Sequence, residues 1–149
     1  MKAILTLIIL AFSAALVAQN NIYWDATGRK AGSSTSTGNN NTTYYDATGR
    51  RKATSNKAGN QTVFRDQSGR KTGTAQQSGS NRTNYFDATG RNVGHSTRQG
   101  ASTTIFYDAS GKKAGSATKS GKTTTYYDAS GRKIGSSNSN ETLPIPLQK

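Results

Sequence analysis

The chain opens on one long apolar run and then settles into a short polar and apolar period that recurs to near its end. Ala3 to Val17 is almost wholly apolar, broken only by Thr6 and Ser13. Met1-Lys2 precedes the run, and Ala18 with the polar Gln19-Asn20-Asn21 follows it. A basic start, an apolar stretch and a small-residue exit form the layout of a secretory signal peptide. Cleavage is expected after Ala18, with Ala15 as the second choice, so residues 1–18 are assigned to a leader. The competing reading is a membrane anchor. Against it, the run is near the lower length limit for a span and no cationic cluster follows closely. With no cysteine at the exit, a bacterial lipoprotein anchor is excluded.

Beyond the leader, the pattern is an internal repeat. Tyr23-Trp24-Asp25-Ala26-Thr27-Gly28-Arg29 returns at Tyr44, Phe64, Tyr85, Phe106 and Tyr126, each time with Asp two residues on and Gly three after that. The aspartates are Asp25, Asp46, Asp66, Asp87, Asp108 and Asp128, spaced 21, 20, 21, 21 and 20 residues apart. With positions counted from each Asp, the glycines at +3 are Gly28, Gly49, Gly69, Gly90, Gly111 and Gly131. A second set lies at +7 (Gly32, Gly73, Gly94, Gly115, Gly135), and a third lies between units (Gly38, Gly59, Gly79, Gly100, Gly121). Asp-x-[Thr/Ser]-Gly is the chemistry of a type I turn followed by a left-handed glycine, with the Asp carboxylate accepting N–H groups of its own turn.

Each unit therefore reads as a β-hairpin. The expected register pairs Asp with the basic residue at +4, −1 with +5, and the aromatic at −2 with the residue at +6. That puts the −2 aromatics, the −4 threonines (Thr42, Thr62, Thr83, Thr104, Thr124) and the +6 residues (Ala31, Thr72, Val93, Ala114, Ile134) on one face. In the second unit Arg51 reads as an inserted residue that moves its apolar partner to Ala53. The opposite face carries Trp24, Tyr45, Arg65, Phe86, Tyr107 and Tyr127 at −1, against Lys30, Lys71, Asn92, Lys113 and Lys133 at +5. Lys over an aromatic ring is a cation–π arrangement worth about 0.5–1 kcal/mol when exposed. The predicted fold is all-β: six tandem hairpins of 20–21 residues over 19–137, forming a meander or solenoid-like sheet. Residues 138–149, with the only two prolines, form a tail.

Composition changes this picture in two ways. Without the leader the chain is poor in apolar residues, which on its own would suggest disorder; the regular turns and alternation argue for order. The balance is also strongly basic: 20 Lys+Arg against 7 Asp+Glu, net charge +13. An anionic partner is the electrostatic expectation.

The inventory for catalysis is thin. There is no cysteine and one histidine, His95, and the only acid outside the six turns is Glu141. A thiol nucleophile, a zinc or iron–sulfur site and a calcium loop all lack their ligands. No nucleophile elbow or phosphate-binding loop occurs. The chain is read as a non-enzyme without a cofactor, and the Asp and +3 Gly residues as structural.

Tyr107-Asp108-Ala109-Ser110-Gly111-Lys112, followed by Gly121-Lys122-Thr123-Thr124-Thr125-Tyr126, resembles the YD repeat of Rhs-type and related bacterial surface and secreted proteins. The resemblance covers residues 22 to about 137. It implies hairpin repeats in an exported bacterial protein. The family's apolar residue directly after Gly-Arg is replaced here by Lys30, Lys71, Asn92, Lys113 and Lys133, and six units are too few for the shell that long YD arrays build. The unit is also similar to the aromatic and glycine-rich hairpin repeats of choline-binding and glucan-binding modules, which hold ligands on exposed aromatics.

Together these features give an exported protein, periplasmic, surface-held or secreted, that binds an anionic or saccharide polymer: lipopolysaccharide, cell-wall polymer or extracellular DNA. The candidate contact residues are Trp24, Lys30, Tyr45, Lys71, Phe86, Tyr107, Lys113, Tyr127 and Lys133. The alternative is a structural protein that pairs its sheet edges with itself or with a larger repeat protein.

Overall fold

The computed structural model describes residues 19–38 and 40–138. The assigned leader, 1–18, and the tail beyond Asn138 lie outside the described residues. Each of the six units forms its hairpin. The strands are β1 (Gln19–Asp25), β2 (Lys30–Thr37), β3 (Asn41–Asp46), β4 (Arg51–Ala58), β5 (Gln61–Asp66) and β6 (Lys71–Ser78), then β7 (Arg82–Asp87), β8 (Asn92–Gln99), β9 (Thr103–Asp108), β10 (Lys113–Ser120), β11 (Thr123–Asp128) and β12 (Lys133–Ser137).

The expected open meander or solenoid-like sheet is corrected by the topology. Every strand pairs antiparallel with its chain neighbours, and β1 pairs with β12, so the sheet is a closed twelve-stranded barrel. The seam matches Tyr23, Trp24 and Asp25 with Ser137, Ser136 and Gly135. Asn138 extends it: its amide donates to the Ile22 carbonyl and its Oδ1 accepts the Ile22 amide, at 3.2 and 2.6 Å. Closure follows from accumulated strand twist, which local periodicity does not display. It also occupies the edges that strand-to-strand self-pairing would use.

The turns explain why the aspartates are invariant across the units. In the first, Gly28 N–H donates to the Asp25 carbonyl and Asp25 N–H to the Arg29 carbonyl. Asp25 Oδ1 accepts the Thr27 amide, the Thr27 hydroxyl and the Arg29 amide at 2.9, 2.7 and 3.0 Å. Gly28 takes φ +85, the left-handed region that favours glycine. The same bonds recur in all six units, with Ser supplying the hydroxyl in three of them. At the opposite end the units are joined by a two-residue connection where the Asp spacing is 20 (Gly59-Asn60, Gly121-Lys122). A three-residue connection is used where the spacing is 21.

The register differs from expectation at one step. The −1 residue does pair with +5, as Trp24 with Lys30, but −2 pairs with +7, as Tyr23 with Gly32. The +6 residue is therefore the extra residue of a β-bulge, and the bulge recurs in every hairpin. Arg51 is not an insertion: it pairs with Tyr45 as the ordinary +5 residue, and Ala53 occupies the +7 position that is glycine elsewhere. Glycine is favoured there by a close backbone approach. A Cβ on Gly32, Gly73 or Gly135 would lie 2.5 Å from the carbonyl oxygen of the neighbouring hairpin's −1 residue.

Inside the barrel the −2 aromatics alternate with small residues. The +9 side chains are Ser34, Ser55, Ala75, Ser96, Ala117 and Ser137, all buried. The four tyrosines at −2 reach the +9 serines of their own units: Tyr23–Ser34 2.9 Å, Tyr44–Ser55 3.3 Å, Tyr85–Ser96 2.8 Å and Tyr126–Ser137 3.3 Å. The two phenylalanines, Phe64 and Phe106, belong to the units whose +9 residue is Ala75 or Ala117. Hydroxyl meets hydroxyl, and methyl meets plain ring. Phe106, Ala117 and Tyr126 form the tightest cluster, with Tyr85, Ala114 and Ile134 packed on it. Twelve strands enclose more width than six rings can fill. Cavities of about 560 and 440 Å³ remain, one toward each mouth.

Candidate functional site

The strand period puts −1 and +5 on the outside of the barrel, at the end that carries the Asp turns. Six hairpins in a closed ring turn the two expected stripes into two stacked collars. The aromatic collar is Trp24, Tyr45, Arg65, Phe86, Tyr107 and Tyr127. The basic collar beside it is Lys30, Arg51, Lys71, Asn92, Lys113 and Lys133, all exposed. The +4 cations Arg29, Arg50, Arg70, Arg91, Lys112 and Arg132 stand exposed in the adjoining turns.

Of the candidate residues, three aromatic–lysine pairs are direct cross-strand partners: Trp24 with Lys30, Tyr107 with Lys113 and Tyr127 with Lys133. Tyr45 faces Arg51, a residue the sequence reading had set aside as an insertion. Lys71 faces Arg65, and Phe86 faces Asn92. The nine do not gather into one pocket. Units follow one another around the ring, so Trp24 lies across the barrel from Phe86 and Tyr45 across from Tyr107.

Neighbouring hairpins extend the collar in a way the sequence did not suggest. Tyr107 pairs across the strand boundary with His95 of the preceding unit, and their rings stack with centroids 4.7 Å apart and planes 15° off parallel. Burial, then the charge of Arg82, lowers the His95 pKa, favouring the neutral imidazole. Arg51 reaches the Gln67 carbonyl of the next turn at 2.7 Å, and Arg65 reaches the Gly69 carbonyl at 3.2 Å.

The six carboxylates at this end are committed to the turns. All are held below the usual carboxylate range, first by the hydroxyl at +2 and next, in most units, by the amide at +4. Arg132 adds an exposed ion pair to Asp128 at 3.0 Å. Among the described residues no group of His and acidic side chains is arranged to hold a metal ion. Among the same residues no helix is long and apolar enough to cross a membrane, which says nothing about crossing by strands. The outward strand positions beyond the aromatic collar mix polar residues, such as Thr35, Asn56 and Thr97, with the half-exposed apolar Ile22, Val63 and Ile105.

No protein-family model matches the chain, and no curated protein matches it; neither resemblance drawn from the repeat motif gains support from these comparisons.

Proposed function

We propose that this chain is an exported, non-catalytic barrel of bacterial origin that binds an anionic or saccharide polymer with the outer collars at its Asp-turn end. Lipopolysaccharide, a cell-wall polymer and extracellular DNA are the candidate ligands. One observation carries the reading: the closed register sets exposed cations beside half-exposed aromatics in adjacent rings, and these cations outnumber the six turn aspartates, the nearby carboxylates among the described residues, each of which spends Oδ1 on turn hydrogen bonds. Cations attract a polyanion with release of its counterions, and aromatic faces take sugar rings or bases.

The ring geometry adds a constraint. A stiff polymer lying against the barrel can touch only adjacent units, so affinity for short rigid ligands comes from two or three hairpins. A flexible chain can wrap and engage more of them. A panel of lipopolysaccharide, anionic glycans and DNA against the mature protein at two salt concentrations tests the reading. Binding that weakens as salt rises supports it; no binding to any polyanion at low salt removes it. Export has its own test. N-terminal sequencing of the exported protein is expected to give Gln19, the first residue of β1, and an intact Met1 would contradict the leader.

A further inference from the structure

The mouth opposite the Asp turns has a different character from the collars. The 560 Å³ cavity behind it is of a size that takes small ligands. Three rings, Tyr44, Phe64 and Tyr85, form its floor. Above them stand the −4 threonines Thr62, Thr83 and Thr104. At the rim come the +11 residues, which pair with those threonines across each connection, as Lys57 with Thr62 and Arg98 with Thr104. Gln77 holds the same position between them, opposite Thr83.

Two facts separate this cup from a merely hydrated barrel end. First, the polar groups near its rim are not used by the protein, although the tyrosine and serine hydroxyls deeper in are paired. Ser36 and Thr42 bond each other at 3.0 Å, but the hydroxyls of Thr62, Thr83 and Thr104, the Gln77 amide and the cations of Lys57 and Arg98 have no side-chain partner among the described residues. Second, no carboxylate of the described residues lies at this end, because all six aspartates sit in the turns at the other one. Among the described residues, Lys57 and Arg98 therefore give the mouth of the cavity a net positive charge.

The geometry points to a binding site in this cup for a short acidic saccharide, one or two sugar units carrying a carboxylate or sulfate. The rings supply faces for the sugar's C–H surface. Threonine hydroxyls and the Gln77 amide match sugar hydroxyls as donors and acceptors. The two cations take the anionic group, Arg98 with a fork that fits carboxylate or sulfate oxygens. The site is independent of the outer collars and does not rest on polymer binding there.

Calorimetric titration of the mature protein at low salt tests it, with digalacturonate, a sulfated disaccharide and neutral cellobiose as probes. One acidic disaccharide per barrel is expected, bound more tightly than cellobiose, and the stronger acidic probe identifies the anion. K57Q/R98Q should weaken that binding about tenfold or more, and T83V should weaken it with the charges intact. Y107A/K113A, on the outer collars, should leave it unchanged. Thermal melts confirm that each variant is folded. The proposal is overturned if neither acidic probe binds, if K57Q/R98Q binds as the parent does, or if Y107A/K113A abolishes the disaccharide binding. Polymer binding that fails while the acidic disaccharide still binds would remove the collar reading alone.

Discussion

At the scale of single residues, the interior is specified by pairs. A tyrosine at −2 goes with a serine at +9, and a phenylalanine goes with an alanine, eleven residues away in each case. Tyr85→Phe should lose the 2.8 Å bond to Ser96 and cost about 1 kcal/mol, somewhat more because the Ser96 hydroxyl is buried. The reverse exchange is more informative. Phe64→Tyr alone brings a hydroxyl toward Ala75 with nothing to meet it, whereas Phe64→Tyr with Ala75→Ser rebuilds the pair found in four other units. Denaturant unfolding of the two single variants and the double should show a favourable coupling of about 1 kcal/mol. Additive effects would mean that the pairing does not stabilise the barrel.

The turn carboxylates belong to the same scale. Each Asp has a folded pKa lowered first by its +2 hydroxyl, while an unfolded Asp titrates near pH 3.9. The unfolded chain therefore takes up protons first as pH falls. The stabilisation is complete above about pH 4 and is lost progressively as pH drops through the folded values. With six copies and a strongly positive chain, unfolding followed by circular dichroism should show a steep loss of stability below about pH 4. Asp87→Asn should lower stability at neutral pH and make the acid slope shallower. An acid profile flat to well below that range would contradict the hub role.

Among the elements, the hairpin is the unit that the sequence made readable. The turn type, the glycine at +3, the inward −2 aromatics and the outward −1 residues all follow from local chemistry and strand period, and the structure has them. The bulge was not readable. An apolar residue at +6, such as Ala114 or Ile134, fits simple alternation, and only the pairing of Tyr126 with Gly135 shows that the chain carries one extra residue there. Arg51 was misread for a related reason: Ala53 replaces a repeat glycine, so the unit looked shifted when only its side chain had changed. In the second unit Ala53 holds that +7 position, whereas the other units carry glycine there. At Gly73 a Cβ would stand 2.5 Å from the Phe86 carbonyl, so Gly73→Ala should destabilise by forcing the backbone apart. Gly90→Ala, at φ +87, should cost roughly 1–2 kcal/mol through the left-handed backbone. The connections are more forgiving. Deleting Ser80 leaves Gly79-Asn81, the same two-residue form as Gly59-Asn60, and the variant should fold with a melting temperature close to the parent's.

For the whole molecule, closure decides both stability and the shape of the candidate site. It could not be read from one period, because it depends on the summed twist of twelve strands and on β1 meeting β12. The same event converts two stripes into rings and leaves a cup at the other mouth. Removing residues 133–149, and β12 with them, should free the edges of β1 and β11, and light scattering should then report association that the parent does not show. A monomeric truncated protein would mean that the seam is not what caps those edges.

The most direct test of the central claim, that the outer collars bind a polyanion, is the salt dependence of affinity for the best polymer of the panel. It should be measured for the parent, Tyr107→Ala/Lys113→Ala and Tyr85→Phe. The account predicts that the collar variant melts close to the parent yet binds more weakly, with a log–log salt slope reduced by about 1 for the lost lysine contact. Tyr85→Phe should melt lower and bind with the parent's affinity and slope. Unchanged binding and slope in the collar variant, or a collar variant that unfolds while Tyr85→Phe loses the ligand, would contradict it.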